Sequence, residues 1–124
     1  MASIFVPRET APGERRVAAT PETVRRFVKD GHTVSVEKGA GVEAHYADDE
    51  YVKAGAAIVA DAGQGWSTAD VVAQLNVPDA ASLSRMRRGA SFLGFFWPPE
   101  NLDLVRLAAE RGISVFAMDA LPRT

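Results

Sequence analysis

Four glycines set the frame of this chain. Gly31, Gly55, Gly89 and Gly112 each follow a polar stretch ending in a basic residue (Lys29, Lys53, Arg88 and Arg111), and each precedes an apolar run. Glycine supplies the left-handed backbone that closes a helix, and a cation in the last turn opposes the negative end of the helix dipole. The four points therefore read as helix ends, and the runs after them, HTVSVE, AAIVA, SFLGFF and ISVFAM, read as strands. Adding SIFV at the start and DVVAQL in the middle makes strands and helices alternate along the chain. Such alternation predicts an α/β fold of about six strands: an open, mostly parallel sheet with helices on both faces, a flavodoxin-like or Rossmann-like lobe. The runs are continuously apolar, as strands covered on both sides require.

The helices have their own signals. Thr20 caps a helix whose first residue is Pro21, and Val24, Phe27 and Val28 fall on one buried face. Asp48 and Asp79 are candidate caps for helices ending near Lys53 and Arg88, the second with Leu83 and Met86 as its apolar pair. A helix from about Glu100 to Arg111 puts Leu102, Val105 and Ala109 on one side, with Leu104 and Ala108 beside them.

At 124 residues the chain makes one lobe, residues 1–124, too short for two nucleotide-binding halves. Sixteen acidic residues against fourteen Lys and Arg leave a net charge of -2, which gives no field to attract a phosphate backbone and argues against nucleic acid as a partner. The absence of cysteine removes thiolate nucleophiles and Cys-ligated metals, and His32 and His45 have no partner at ligand spacing, so no metal site is expected. No G-x-S-x-G elbow supports a hydrolase. The Arg85 to Arg88 cluster reads as a solvated helix end. The longest apolar stretch, SFLGFFW, is far below the ~18 residues of a membrane helix, and MASIFVPRE has no signal-peptide pattern, so a soluble, cytoplasmic chain is the expectation.

In sheets of this type ligands gather beyond the carboxyl ends of the strands. Those exits carry Pro7, Arg8, Glu9 and then Glu14, Arg15 and Arg16; Asn76 and Pro78; Trp97, Pro98 and Pro99; and Asp119, Pro122 and Arg123. A proline after a strand is also an ordinary breaker, so the charged groups matter more. Gly39, Gly41 and Ala44 spell G-x-G-x-x-A after a strand, with Asp61 closing the next one, as a dinucleotide fingerprint requires. A true fingerprint starts its helix inside the glycine turn. Here the helix start falls after HYADDE, and Glu43, Asp48, Asp49 and Glu50 would repel a diphosphate, so a plain glycine turn is the preferred reading.

The segment VPRETAPGERRVAATPETVRRFVKDGHTVSVEKGAG resembles the opening of the alanine dehydrogenase and pyridine nucleotide transhydrogenase family. GFFWPPENLDLVRLAAERGISVFAMDALPR is similar to the alpha subunits of its transhydrogenase branch, so the likeness runs from Ile4 to Arg123. The resemblance implies the first lobe of a bilobal subunit, with the NAD-fingerprint domain absent from this chain. It implies hydride transfer from NADH to NADP+ coupled to proton transport, with NAD(H) held mainly by that absent domain and NADP(H) on a partner subunit. The implied partners are membrane and NADP-binding subunits together with a second alpha subunit in a homodimer. The implied location is the cytoplasmic face of a membrane.

At residue level, Pro98 stands where alanine dehydrogenases of the family carry a catalytic His, so the lobe is expected to contribute no catalytic residue. Gln74 stands where the family usually has Lys, and Arg16 matches the other half of that carboxylate clamp. Arg16, Gln74 and Trp97 are the implied cleft residues, and Arg123 the implied cofactor contact near the nicotinamide. The isolated lobe is expected to be inactive. The alternatives are an alanine dehydrogenase-type oxidoreductase and a non-catalytic dimerisation or interaction module. In the family a later helix returns to this lobe, so without it apolar surface is expected to stay exposed.

Overall fold

A computed structural model of the chain describes residues 2–94 and 101–117. They form the strands β1 (Ser3–Val6), β2 (Thr33–Glu37), β3 (Ala57–Val59), β4 (Val71–Ala73), β5 (Ser91–Gly94) and β6 (Ser114–Ala117). The helices are α1 (Pro21–Lys29), α2 (Asp48–Lys53), α3 (Ala62–Thr68), α4 (Ala80–Arg85) and α5 (Leu102–Arg111). All six strands are parallel in the order β3-β2-β1-β4-β5-β6. This is the Rossmann-like, doubly wound arrangement, and the chain changes direction across the sheet between β1 and β4.

Strand β1 is central and buries alternate residues on opposite faces. Phe5 joins Val72, Phe92, Trp66, Leu83 and Met86 under α3, α4 and α5. Ile4 and Val6 join Val34, Val36, Val24 and Tyr51 under α1 and α2. Each fully buried side chain of this size contributes about 1.5–3 kcal/mol, so both layers stabilise the same strand. Trp66 stacks on Phe92 with ring planes 10° apart. The amino ends of β1 and β4 are tied together: Ser3 N–H donates to Asp70 Oδ2 at 2.8 Å, Asp70 N–H returns to Ser3 Oγ at 2.9 Å, and Arg87 ion-pairs with Asp70.

Local signals placed most elements correctly. Thr20 caps α1 by accepting from Thr23 N–H, with Pro21 first in the helix, and Asp79 caps α4 through Ser82 N–H at 2.7 Å. Gly31, Gly55 and Gly112 follow helix ends with φ of 94°, 106° and 72°, whereas α4 already stops at Arg85, short of the end expected near Arg88, and Gly89 (φ 90°) turns the chain into β5 without closing a helix.

Four expectations need correction. Asp48 is not a cap: Ala47 holds that place, and Asp48 Oδ1 instead accepts from Gly39 N–H at 2.9 Å. The sequence reading gave no helix for AGQGWST, yet α3 forms there with Asp61 as its cap. Gly65 weakens that helix locally but lets it lie on β1, since a Cβ there would strike the Phe5 ring. Helix α5 is rotated from the expected face: Leu104, Val105, Leu107 and Ala108 meet the core, while Leu102 and Ala109 are exposed. Cover of the strands on both sides also fails at one place. Leu93 and Phe116 are paired neighbours on β5 and β6 and are both exposed, Phe116 to 60%. The start expected near Glu100 lies outside the described residues, and Asn101 precedes the first helical residue, Leu102.

Candidate functional site

The direction change opens a crevice at the carboxyl ends of β1 and β4, and two depressions lie there. One, about 370 Å³, is lined by Arg8, Glu9, Glu14, Arg15 and Arg16 from the β1–α1 loop and by the turn after β2. The other, about 270 Å³, runs between Pro7 and Arg8 at the β1 exit, Gln74 and Pro78 at the β4 exit, and Trp66 of α3. Arg8 lines both.

Glu9 bridges the crevice. Its carboxylate accepts from Leu75 N–H at 2.8 Å, from Asn76 N–H at 3.1 Å and from Asn76 Nδ2 at 3.0 Å. Asn76 Nδ2 also donates to Glu14 at 3.0 Å, and Glu14 accepts from Arg16 Nη2 at 2.7 Å. The long loop after β1 is thus fixed to the β4 exit by charge-assisted bonds. The Arg16 side-chain bond holds the Glu14 carboxyl down at about 2, with smaller help from Asn76, and Glu14 in turn raises the Arg16 guanidinium above its ordinary value.

The implied cleft residues do not converge on one depression. Arg16 lines the first and is already neutralised by Glu14. Gln74 lines the second, is 9% exposed, and donates from Nε2 to the Asn76 carbonyl at 2.8 Å. Its own N–H donates to Leu93 O at 3.0 Å, extending the β4–β5 ladder. Gly94 allows that approach, because a Cβ there would collide with the Gln74 carbonyl oxygen. Trp97, Pro98 and Arg123 lie outside the described residues.

The glycines after β2 do not fit a pyrophosphate. The chain passes from Gly39 into a 3-10 turn, Val42–Ala44, and α2 begins only at Asp48. A phosphate-binding turn needs a helix amino end there and free N–H groups. Gly39 N–H is instead taken by Asp48, and a Cβ at Gly41 would lie 2.6 Å from the Tyr51 ring. Gly41 is a packing glycine: Tyr51 fills the space beside it, and the Tyr51 hydroxyl donates to the Ala19 carbonyl at 2.8 Å.

Glu9 and Asn76 are the organising residues that pattern reading passed over. Both stand at strand exits and were visible as polar groups there. Their pairing depends on β1 lying beside β4, which spacing alone does not reveal.

The family model described as "Alanine dehydrogenase/PNT, N-terminal domain" matches residues 5–124. The NAD(P) transhydrogenase subunit alpha of Cereibacter sphaeroides is 40% identical over 120 residues, covering 97% of this chain and 23% of that protein. A transhydrogenase structure from Sinorhizobium meliloti superposes with a TM-score of 0.92 at 35% identity, covering 98% of this chain and 36% of the other. An L-alanine dehydrogenase structure gives a TM-score of 0.87 at 31% identity, with 93% and 32% covered. The chain spans about a quarter to a third of the length of these relatives.

Proposed function

The chain belongs to the alanine dehydrogenase/PNT family as its N-terminal domain, and on that premise we propose that it is the first lobe of the NAD(H)-handling subunit of an NAD(P) transhydrogenase. In this reading the lobe covers the nicotinamide, while a separate fingerprint domain grips adenine and pyrophosphate. The observation that carries it is the closed turn at Gly39 and Gly41, whose N–H group and free space are already occupied from within the lobe. A dinucleotide must then be held chiefly elsewhere, and this lobe is left to shape one wall of the reaction crevice.

A bound nicotinamide would supply the hydride-donating or hydride-accepting carbon. The residues of this lobe position and exclude water. Glu9 and Asn76 fix the β1–α1 loop to the β4 exit beside the crevice, Trp66 and Pro78 give it an apolar side, and Gln74 supplies a neutral floor. Trp97 would extend the apolar wall, Arg16 would stay at the crevice edge, and Arg123 would orient the nicotinamide. With Pro98 in the place of a proton-exchanging group and an amide at position 74, amination of a keto acid has no acid–base residue here, which favours the transhydrogenase branch. NADP(H) would sit on a partner subunit, and the assembly would comprise paired alpha subunits with membrane subunits coupling transfer to proton movement at the cytoplasmic face.

The test is a chimera in which this chain replaces the matching segment of the Cereibacter sphaeroides alpha subunit. Hydride transfer from NADH to NADP+ above a lobe-deleted control, without amination of pyruvate, is the expected result. Pyruvate amination would support the dehydrogenase branch instead, and loss of both with retained dimerisation would support a non-catalytic module. Calorimetry of the isolated chain should show no NAD binding in the low micromolar range.

A further inference from the structure

At the end of the sheet opposite the crevice, the His32 ring holds the start of the neighbouring strand. Ala2 N–H donates to His32 Nδ1 at 3.1 Å, and Thr33 N–H donates to the Ala2 carbonyl at 3.0 Å. These two bonds carry the β1–β2 ladder one residue beyond its first pair, Ser3 and Thr33. The ring itself is held by α1. Phe27 meets it edge-on with ring centroids 6.5 Å apart, and the His32 N–H donates to the Phe27 carbonyl at 3.0 Å. Because Nδ1 accepts, the neutral ring carries its proton on Nε2.

One residue later the fastening is of another kind. Ser3 N–H donates to Asp70 Oδ2, Asp70 N–H donates to both the Ser3 hydroxyl and the Ser3 carbonyl, and Arg87 pairs with Asp70. No imidazole takes part there. The central strand therefore starts between two ties, one at Ala2 that needs an imidazole lone pair and one at Ser3 that needs a carboxylate.

Imidazole is the side chain that ordinarily changes charge between roughly pH 5 and 8. Once protonated it has two N–H donors and no acceptor, so Nδ1 would meet the Ala2 N–H donor against donor. The charges around it offer no replacement bond. From α1 come Lys29 and Asp30, one of each sign and both exposed; β1 brings no charge at Ala2 or Ser3; and beyond Ser3, Asp70 and Arg87 pair with each other. None of the ion pairs among the described residues includes His32.

We propose that His32 is a pH-operated latch on the amino end of the central strand. Neutral, it holds Ala2 against β2. Protonated, it releases Ala2, while the tie from Ser3 to Asp70 and Arg87 keeps the strand in register from Ser3 onward. The latch stands or falls separately from the hydride-transfer reading, since none of its residues lines the crevice.

The test is NMR of this chain across roughly pH 5–8, following the His32 ring signal together with amide exchange at Thr33 and Ser3, each corrected for the exchange rate of an unstructured peptide. As the ring takes up its second proton, protection of the Thr33 N–H should fall about fivefold over the same pH span, and protection of the Ser3 N–H should hold. His32→Asn sets a carbonyl oxygen near the place of Nδ1 and cannot be protonated there, so Thr33 protection should stay high at every pH. His32→Phe keeps a ring against Phe27 without the acceptor, so Thr33 protection should be low at every pH, with the remaining spectrum unchanged as the control for folding. Thr33 protection that ignores the ring titration, or that falls equally in His32→Asn, overturns the proposal. So does a parallel fall at Ser3, which would mean that the whole strand end loosens and that no latch exists.

Discussion

The turn after β2 and the crevice between β1 and β4 lie at the same end of the sheet, yet they treat polar groups and space in opposite ways. In the turn, Asp48 takes the Gly39 N–H, and Tyr51 fills the space beside Gly41 and donates to the Ala19 carbonyl. In the crevice, Glu9 ties the β1 exit to the β4 exit through the Leu75 and Asn76 N–H groups, and Gln74 lines the cavity with its Nε2 turned to the Asn76 carbonyl. A glycine-rich sequence is therefore no guide to where a ligand goes. What separates the two regions is whether the surrounding side chains fill the space or leave it open.

Substituting the glycine that each region relies on tests this contrast most severely. Gly94→Ala drives a Cβ into the Gln74 carbonyl oxygen, a backbone atom that can retreat only by breaking the β4–β5 ladder. We expect a loss of about 3–4 kcal/mol in chemical denaturation, at the upper end of single substitutions. Gly41→Ala meets the Tyr51 ring and the Tyr46 Cβ, where a side chain can shift, so a loss of about 2 kcal/mol is expected. A larger effect at Gly41 would mean that the turn, not the crevice, is the more rigid of the two.

Removing the tie between the strand exits comes next. Glu9→Ala leaves the Leu75 and Asn76 N–H groups without their acceptor, half-buried at the β4 exit. About 1–3 kcal/mol of stability should go with it, and hydrogen exchange at those two amides should quicken while exchange in α2 stays unchanged. Faster exchange in α2 as well would show that the two regions are coupled.

These contrasts also mark how far the sequence could be read. β1, α1 and the helix-closing glycines were legible because their signals are local: Thr20 before Pro21, a cation before Gly31, an apolar run after it. α3 was not, because AGQGWST has no helical periodicity and is held by the Phe5 ring against Gly65. Asp48 was misread as a cap because its partner, Gly39 N–H, lies upstream in a turn whose shape the sequence does not state. Arg16 and Gln74 were legible as residues through family resemblance, but their separation into two depressions was not. The bond from Asn76 to Glu9 spans 67 positions, and it exists because β4 returns to the far side of β1 after two other strands have formed on the near side.

The smallest expected effects are pH-dependent, and they fall at opposite ends of the scale. Burial pushes the Tyr51 hydroxyl up from 10.0 to about 12. A raised value means that the folded chain keeps its proton while the unfolded chain loses it. The stability tied to Tyr51 is full below pH 10.0 and drains away as pH climbs towards about 12. Tyr51→Phe should remove this alkaline loss, at a cost of about 1 kcal/mol near neutrality from the unpaired Ala19 carbonyl. Glu14 behaves in the reverse sense, its carboxyl lowered from 4.5 to about 2 chiefly by the Arg16 bond. Its contribution is full above pH 4.5 and is lost as pH falls towards about 2. Because the Arg16 side chain is 67% exposed, solvent screening keeps that contribution the smallest of those considered. In Arg16→Gln, a carbon NMR titration should find the Glu14 carboxyl moved back towards its ordinary range, held down only in part by Asn76. A Glu14 that stays low without Arg16 would assign the crevice edge to Asn76 and leave the arginine free for an incoming anion.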